Sequence, residues 1–191
     1  SAGVSPEKIV APDRKLVLTA GSFVELKRPS LVIDAFAKVA PSRPDWDLVM
    51  LGEGPLRGAM RARAEALGMA DRIFIPGFSG DLGEWYRRAD LFIMASAFEG
   101  FPNTLLEAMA HGVVCVAFDV PTGPAELSDG GRRLMLLPER DQLAALAEAI
   151  ATLTASDELR RDYAAAAREV VDAYSESTIL AMWDDLYSRI T

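Results

Sequence analysis

Cysteine and histidine are almost missing: the 191 residues contain one of each. A lone cysteine excludes an internal disulfide. Cys115 lies in the apolar run Val113-Val114-Cys115-Val116-Ala117, where core burial rather than reactivity is expected. His111 has no metal-ligand cluster around it in sequence and stands beside Gly112, so it reads as a helix-end residue and no metal is expected. No apolar run approaches the roughly 18 residues needed to span a bilayer. Basic residues are in the minority, 20 Lys and Arg against 28 Asp and Glu, for a formal net charge of −8. That balance argues against nucleic acid as a partner and against a broad basic face for anionic lipid. No repeat, low-complexity segment or secretory leader is visible. A reducing cytoplasm suits such a chain.

What remains is an ordinary globular composition, 50% hydrophobic and 25% charged, at a length that buries a substantial core as one domain. Residues 1–14, with Pro6, Pro12 and mixed charges, read as a linker. The chain is organised around one stretch. The apolar run Leu91-Phe92-Ile93-Met94-Ala95 reads as a buried parallel strand. After Glu99-Gly100-Phe101-Pro102-Asn103-Thr104 the spacing turns helical through Leu105, Leu106, Met109 and Ala110, and Gly112 ends the helix. Amides at such a helix start lack intrahelical partners and carry the positive end of the dipole, which suits a phosphate. Glu99 and Glu107 bracket the turn. Carboxylates are poor phosphate ligands but accept well from neighbouring hydroxyls of a sugar or ribose. Spacing alone also suits a blander reading, Glu99 as a solvated loop residue and Glu107 as a helix acid favoured by the dipole.

Five further strands are expected, at Leu16–Ala20, Leu48–Leu51, Ile73–Ile75, Val113–Phe118 and Leu134–Pro138, alternating with helices. Gly21 ends the first, and Pro29 opens a helix with Leu31, Val32, Ala35, Phe36 and Val39 inward. A helix from Pro55 carries Leu56, Met60, Ala64 and Leu67 inward, with Arg57, Arg61 and Arg63 on a solvated face. Asp81 with Glu84 suggests a capping box, followed by inward Leu82, Trp85, Tyr86 and Ala89. Beyond residue 140 the tail is helical, with stripes at Leu143, Leu146, Ala147, Ile150 and Leu153, then at Leu159, Tyr163, Ala166, Ala167, Val170 and Val171. The pattern predicts an α/β, Rossmann-like, doubly wound six-stranded parallel sheet with helices on both faces, its ligand site at the strand carboxyl ends. Lys27 is placed to reach a phosphate there, although a solvated loop lysine suits the same position.

The run from Glu99 to Gly112 resembles the E-x7-E signature of group 1 (family 4) retaining glycosyltransferases, whose GT-B architecture sets two Rossmann-like domains across a cleft. The resemblance covers nearly the whole chain and matches the C-terminal, donor-binding half. Gly52-Glu53-Gly54-Pro55 is similar to a family G-x-G-P turn, and Pro121-Thr122-Gly123-Pro124-Ala125-Glu126 to a C-P-S-G-P-x-E variant that would put Glu126 at the cleft rim. The stretch from Gly21 to Lys27 matches the family's G-R-x-x-x-x-K except that Ser22 replaces the arginine. Ser22 offers one hydrogen bond and no charge, and Arg28 is the nearest candidate to compensate.

The resemblance implies a diphosphate on Lys27 and the amides of Phe101 to Leu105, within a donor site of Gly21, Ser22, Gly77, Phe78, Gly100, Phe101, Pro102, Asn103, Thr104 and Leu105. Glu99 would hold sugar hydroxyls, Glu107 the ribose, and Gly77 with Phe78 would lie near the base. Lys27 and Glu99 would serve catalysis. UDP is the family's commonest carrier, and neither metal nor other cofactor is implied. A hexosyl group would pass to a glycan, lipid or small molecule held by an N-terminal domain, so residues 15–175 alone are expected to bind donor without turnover. Any peripheral attachment at the inner membrane would come through that missing domain. Residues 176–191 would form a helix crossing back to it, exposing some of Trp183, Leu186 and Tyr187. The alternatives are an inactive GT-B-like binding or scaffold module, a GT-B epimerase or phosphorylase, and a generic flavodoxin-like or response-regulator-like module.

Overall fold

A computed structural model of the chain describes residues 4–188, with side chains through Trp183. Six parallel strands form one sheet in the order β3-β2-β1-β4-β5-β6: β1 (Lys15–Ala20), β2 (Trp46–Leu51), β3 (Ile73–Gly77), β4 (Leu91–Met94), β5 (Cys115–Phe118) and β6 (Met135–Leu137). The order reverses between β1 and β4, so their carboxyl ends diverge into a crevice. All six strands fall where the apolar runs predicted them.

The helices in chain order are α1 (Pro29–Val39), α2 (Arg57–Ala66), α3 (Leu82–Arg88), α4 (Asn103–Ala110), α5 (Pro124–Ser128), α6 (Gln142–Ala155), α7 (Asp157–Ala167), α8 (Val170–Ala173) and α9 (Glu176–Ser188). Strand side chains alternate between two cores. Val17, Leu48, Met50, Ile93 and Val116 meet α1, α2 and α6 on one face, through Val32, Phe36, Met60, Leu146 and Ile150. Leu16, Leu18, Val49, Phe92 and Cys115 meet α3 and α4 on the other, through Trp85, Tyr86, Leu105 and Met109. The sheet is therefore doubly wound.

Local expectations are corrected at several points. In α1, Ile33 is buried and Leu31 only half-buried, so the stripe is shifted toward Ile33. Leu67 is 40% exposed: α2 ends at Ala66, and Leu67 turns off the helical phase at φ −88°, ψ 0°. In α4, Ala108 is buried while Ala110 is exposed. Val171 is exposed because the helix ends at Ala167 and a new one starts at Val170, which disrupts the stripe. Arg57 and Arg61 are not simply solvated. Arg57 Nη2 donates to Pro76 O at 3.0 Å and Arg61 Nη2 to Ile75 O at 2.9 Å, satisfying carbonyls at the end of β3. Asp81 caps α3 as expected, accepting from the amides of Gly83 and Glu84.

Residues 4–14, read as linker, lie on the domain: Pro6 and Val10 are buried, and Trp85 Nε1 donates to Val4 O at 3.2 Å. Helix α9 carries Ile179, Leu180, Met182 and Trp183 with 36% to 60% of their surface exposed. Side chains of Leu186 and Tyr187 lie outside the described residues. Among the described residues, no helix is long and apolar enough to cross a membrane.

Candidate donor site

Three loops are stitched together at the carboxyl edge of the sheet. Gly21 N–H donates to Leu51 O at 3.0 Å, Phe23 N–H to Glu53 O at 2.8 Å, and Gly52 N–H to Gly77 O at 3.0 Å. Gly52 allows this close approach. A Cβ there would lie 1.8 Å from Gly21 O, and its φ of +143° disfavours any side chain. Buried Phe23 anchors the β1 loop from below. A short 3-10 turn over Glu25–Lys27 follows, and Arg28 adopts a left-handed conformation before Pro29 opens α1.

The loop after β4 is tied to this one, since Ala97 N–H donates to Leu26 O at 2.8 Å. Lys27 Nζ then meets Glu99 Oε1 at 2.6 Å, with Glu99 only 7% exposed. The Thr122 hydroxyl donates to Glu99 O, fixing the main chain behind the carboxylate. Gly123, at φ +92°, packs on the signature turn, where a Cβ would come within 2.4 Å of Pro102 Cδ. The β5 loop thus shapes the turn that opens α4.

Helix α4 begins after Pro102 with no side-chain cap. Asn103 N–H is used by Phe101 O and Leu105 N–H by Pro102 O, each at 3.0 Å, while Pro102 has no N–H. The expected row of phosphate donors therefore narrows to Phe101 and Thr104, whose amides have no protein partner among the described residues. These amides and the helix dipole give the turn a positive potential.

A cavity of about 280 Å³ lies between the ends of β1 and β4. Gly21, Ser22, Lys27, Glu99, Phe101, Pro102, Asn103 and Thr104 all line it, so eight of the sequence-derived candidates converge. A second cavity of about 350 Å³ shares Gly21, Ser22 and Thr104 and continues to Phe78, Ser79 and Leu82, where the lining is mostly apolar. Phe78 is 75% exposed at its mouth and is not a core residue. Together they make an elongated cleft with one charged and one apolar end.

Gly77, Gly100, Leu105, Glu107 and Glu126 line neither cavity. Leu105 is fully buried in the core. Arg28 is committed elsewhere, its guanidinium donating to both carboxylate oxygens of Glu139 at 3.0 and 2.8 Å. It does not restore the charge absent at Ser22. Glu107 is exposed on α4 and accepts from the Tyr86 hydroxyl at 3.2 Å. Burial, then the Glu107 charge, push the Tyr86 phenol well above its ordinary range. The apolar stripe of α3 predicts Tyr86 in the core and gives its hydroxyl no role. A tyrosine in an apolar helix stripe implies such a partner, which is the available signal. Thr122 had only a motif position to mark it.

A doubly wound sheet whose switch-point crevice pairs a lysine with an acid before an uncapped helix start defines a Rossmann-like domain with its ligand crevice at the strand carboxyl ends. The model of the family described as "Glycosyl transferases group 1" matches residues 4–170, and the chain belongs to that family. It is 36% identical over 92% of its length to exopolysaccharide phosphotransferase SCO2592 of Streptomyces coelicolor, covering 19% of that protein. It is 34% identical to the lipopolysaccharide core biosynthesis mannosyltransferase LpsB of Rhizobium meliloti, over 73% of this chain and 41% of that one. The chain thus spans from a fifth to under half of these curated relatives. A point mutant of S. aureus TarM, crystallised with fondaparinux, alpha-GlcNAc-glycerol and UDP, shares the fold at a TM-score of 0.83 and 23% identity. That match covers 98% of this chain and 38% of TarM.

Proposed function

We propose that this chain is the donor-binding domain of a retaining glycosyltransferase that transfers a hexosyl group from a nucleotide diphosphate. The observation that carries the reading is the convergence of Lys27, Glu99 and the open amides of Phe101 and Thr104 on one cleft. Lys27 and the α4 start bind the diphosphate and offset charge on the departing phosphate, so no metal is invoked. Glu99 accepts sugar hydroxyls. The apolar end beside Phe78 and Leu82 receives the base, and Glu107, about one turn along α4 from the cavity-lining Thr104, takes the ribose. UDP is the proposed carrier, in keeping with the UDP bound by TarM.

The acceptor, a glycan, lipid or small molecule, belongs to an N-terminal domain of the same polypeptide, to which α9 crosses. Attachment to a cytoplasmic membrane face, where present, comes through that domain. The isolated chain binds donor without transfer. A second reading, a GT-B-like binding module that has lost catalysis, is favoured by one observation. Ser22 stands where the resemblance calls for arginine, and among the described residues no cation besides Lys27 lines the charged cavity.

Calorimetric titration with UDP, GDP and ADP tests the proposal, repeated on Lys27→Ala and Glu107→Ala. One nucleotide binding, weakened by both changes, supports the donor site. Absence of binding by the folded domain and by the full-length protein overturns it. Transfer by the full-length protein separates the two readings.

A further inference from the structure

The charged cavity has one cation and one anion among the described residues of its lining, Lys27 and Glu99, and they are already paired at 2.6 Å. This pair is held by its surroundings. Leu26 and Ala97 are joined by a backbone hydrogen bond of 2.8 Å, one residue before Lys27 and two before Glu99. Thr122 fixes the Glu99 carbonyl, and the Glu99 side chain is only 8% exposed. Position 22 is serine and Arg28 is bound to Glu139, so neither adds a second cation to the lining. An arriving diphosphate therefore meets a cavity whose formal charge is zero.

We propose that Glu99 acts as the internal counter-ion of Lys27, so that the cleft selects a glycosylated nucleotide over the bare nucleoside diphosphate. This rests on the donor-binding reading above. When the diphosphate draws the Lys27 ammonium toward it, Glu99 is left as a nearly buried carboxylate short of a donor, which is unfavourable. A nucleotide sugar supplies the replacement, because its sugar hydroxyls donate to Glu99. A bare nucleoside diphosphate supplies none. It also carries roughly three negative charges near neutral pH against roughly two for the sugar ester, since its terminal phosphate titrates with a second pKa of about 6. Repulsion by Glu99 is correspondingly larger. The pair thus favours donor over the nucleotide left after transfer, and so favours release of that product.

The test compares UDP, GDP and ADP with UDP-glucose, GDP-mannose and ADP-glucose by calorimetry, on wild type, Glu99→Gln and Glu99→Ala. Circular dichroism confirms that each variant is folded, and the two variants check one another. Loss of the carboxylate is expected to tighten the bare nucleotide by about three- to tenfold, the range for freeing one partner of a partly exposed pair. The matching nucleotide sugar should gain nothing or weaken. Bare-nucleotide affinity that falls or stays unchanged in both variants overturns the proposal, as does equal tightening of both members of a pair. If wild type binds a nucleotide and Lys27→Ala weakens it while the Glu99 variants do not tighten it, only the counter-ion role fails. If neither the folded domain nor the full-length protein binds any of the six, the donor-binding reading fails with it.

Discussion

Tyr86, 2% exposed, donates its hydroxyl to Glu107 Oε2 at 3.2 Å, so a core side chain orients an exposed carboxylate of α4. The bond crosses from α3 to α4 and fixes one carboxylate oxygen, leaving the other free to accept from a ligand hydroxyl. Tyr86→Phe keeps the ring and removes this bond, at a cost of about 1 kcal/mol. That cost falls on stability, and only its orienting part reaches the ligand, so nucleotide affinity measured by calorimetry should drop by no more than about fivefold, with little change in the far-ultraviolet spectrum. Unchanged affinity would show that Glu107 needs no such orientation.

The same bond has a pH signature. Burial, and then Glu107, raise the Tyr86 phenol above its ordinary value of 10.0. A raised folded-state value means that the folded protein holds this proton more tightly than the unfolded chain. The stabilisation is complete below pH 10.0 and declines as pH rises above it. Urea midpoints recorded from pH 8 upward should decline above about pH 10 in wild type, and less steeply in Tyr86→Phe.

Restoring a guanidinium at Ser22 should strengthen diphosphate binding. Ser22 is exposed and lines both cavities, so a longer side chain has open space to enter. A charge-assisted contact of this kind contributes about 1.5 kcal/mol, or roughly tenfold in affinity. Titration of Ser22→Arg with UDP and with inorganic pyrophosphate reads this directly. A gain for UDP alone would place the new contact away from the phosphates.

Gly52→Ala should damage the site through the fold. Its Cβ would collide with the Gly21 carbonyl, a backbone atom with no rotamer to move aside. Parting the β1 and β2 loops should cost about 3 kcal/mol or more, counting overlap and backbone strain together. A large drop in the denaturation midpoint is expected, whereas Gly58→Ala, within α2 and with open space around it, should raise stability by about 0.5–1 kcal/mol.

Cys115 is fully buried and its thiol is pushed above its ordinary range by desolvation. Ellman's reagent at pH 8 should leave the native protein unlabelled and titrate one thiol per chain in denaturant. Rapid labelling of native protein would contradict the packing of β5.

The sheet was readable from sequence because its strands are buried on both faces and appear as unbroken apolar runs, Leu91–Met94 and Cys115–Phe118 among them. Helix starts at Pro29 and after Asp81 were equally local, set by residues that cap or open a helix wherever they occur. Exceptions came at element ends. Leu67 and Val171 continue a helical stripe on paper, yet α2 stops before Leu67 and α7 ends at Ala167 before α8 restarts at Val170, and pattern alone does not carry those breaks.

Sequence by itself determined the layered α/β fold, a ligand site at the strand carboxyl ends and the identity of Lys27, Glu99 and the turn before α4. These depend on local periodicity and on residue types at fixed spacing. Tertiary structure decided which of them meet and which groups are already occupied. Lys27 and Glu99 are 72 residues apart, and only the adjacency of β1 and β4 makes them an ion pair. Arg28, beside Lys27 in sequence, is turned to Glu139 by its left-handed backbone and the start of α1. Tyr86 and Glu107 meet because α3 and α4 share one face of the sheet. Charge and hydrogen bonding are set by distances in space, which a chain specifies only once its strands have paired.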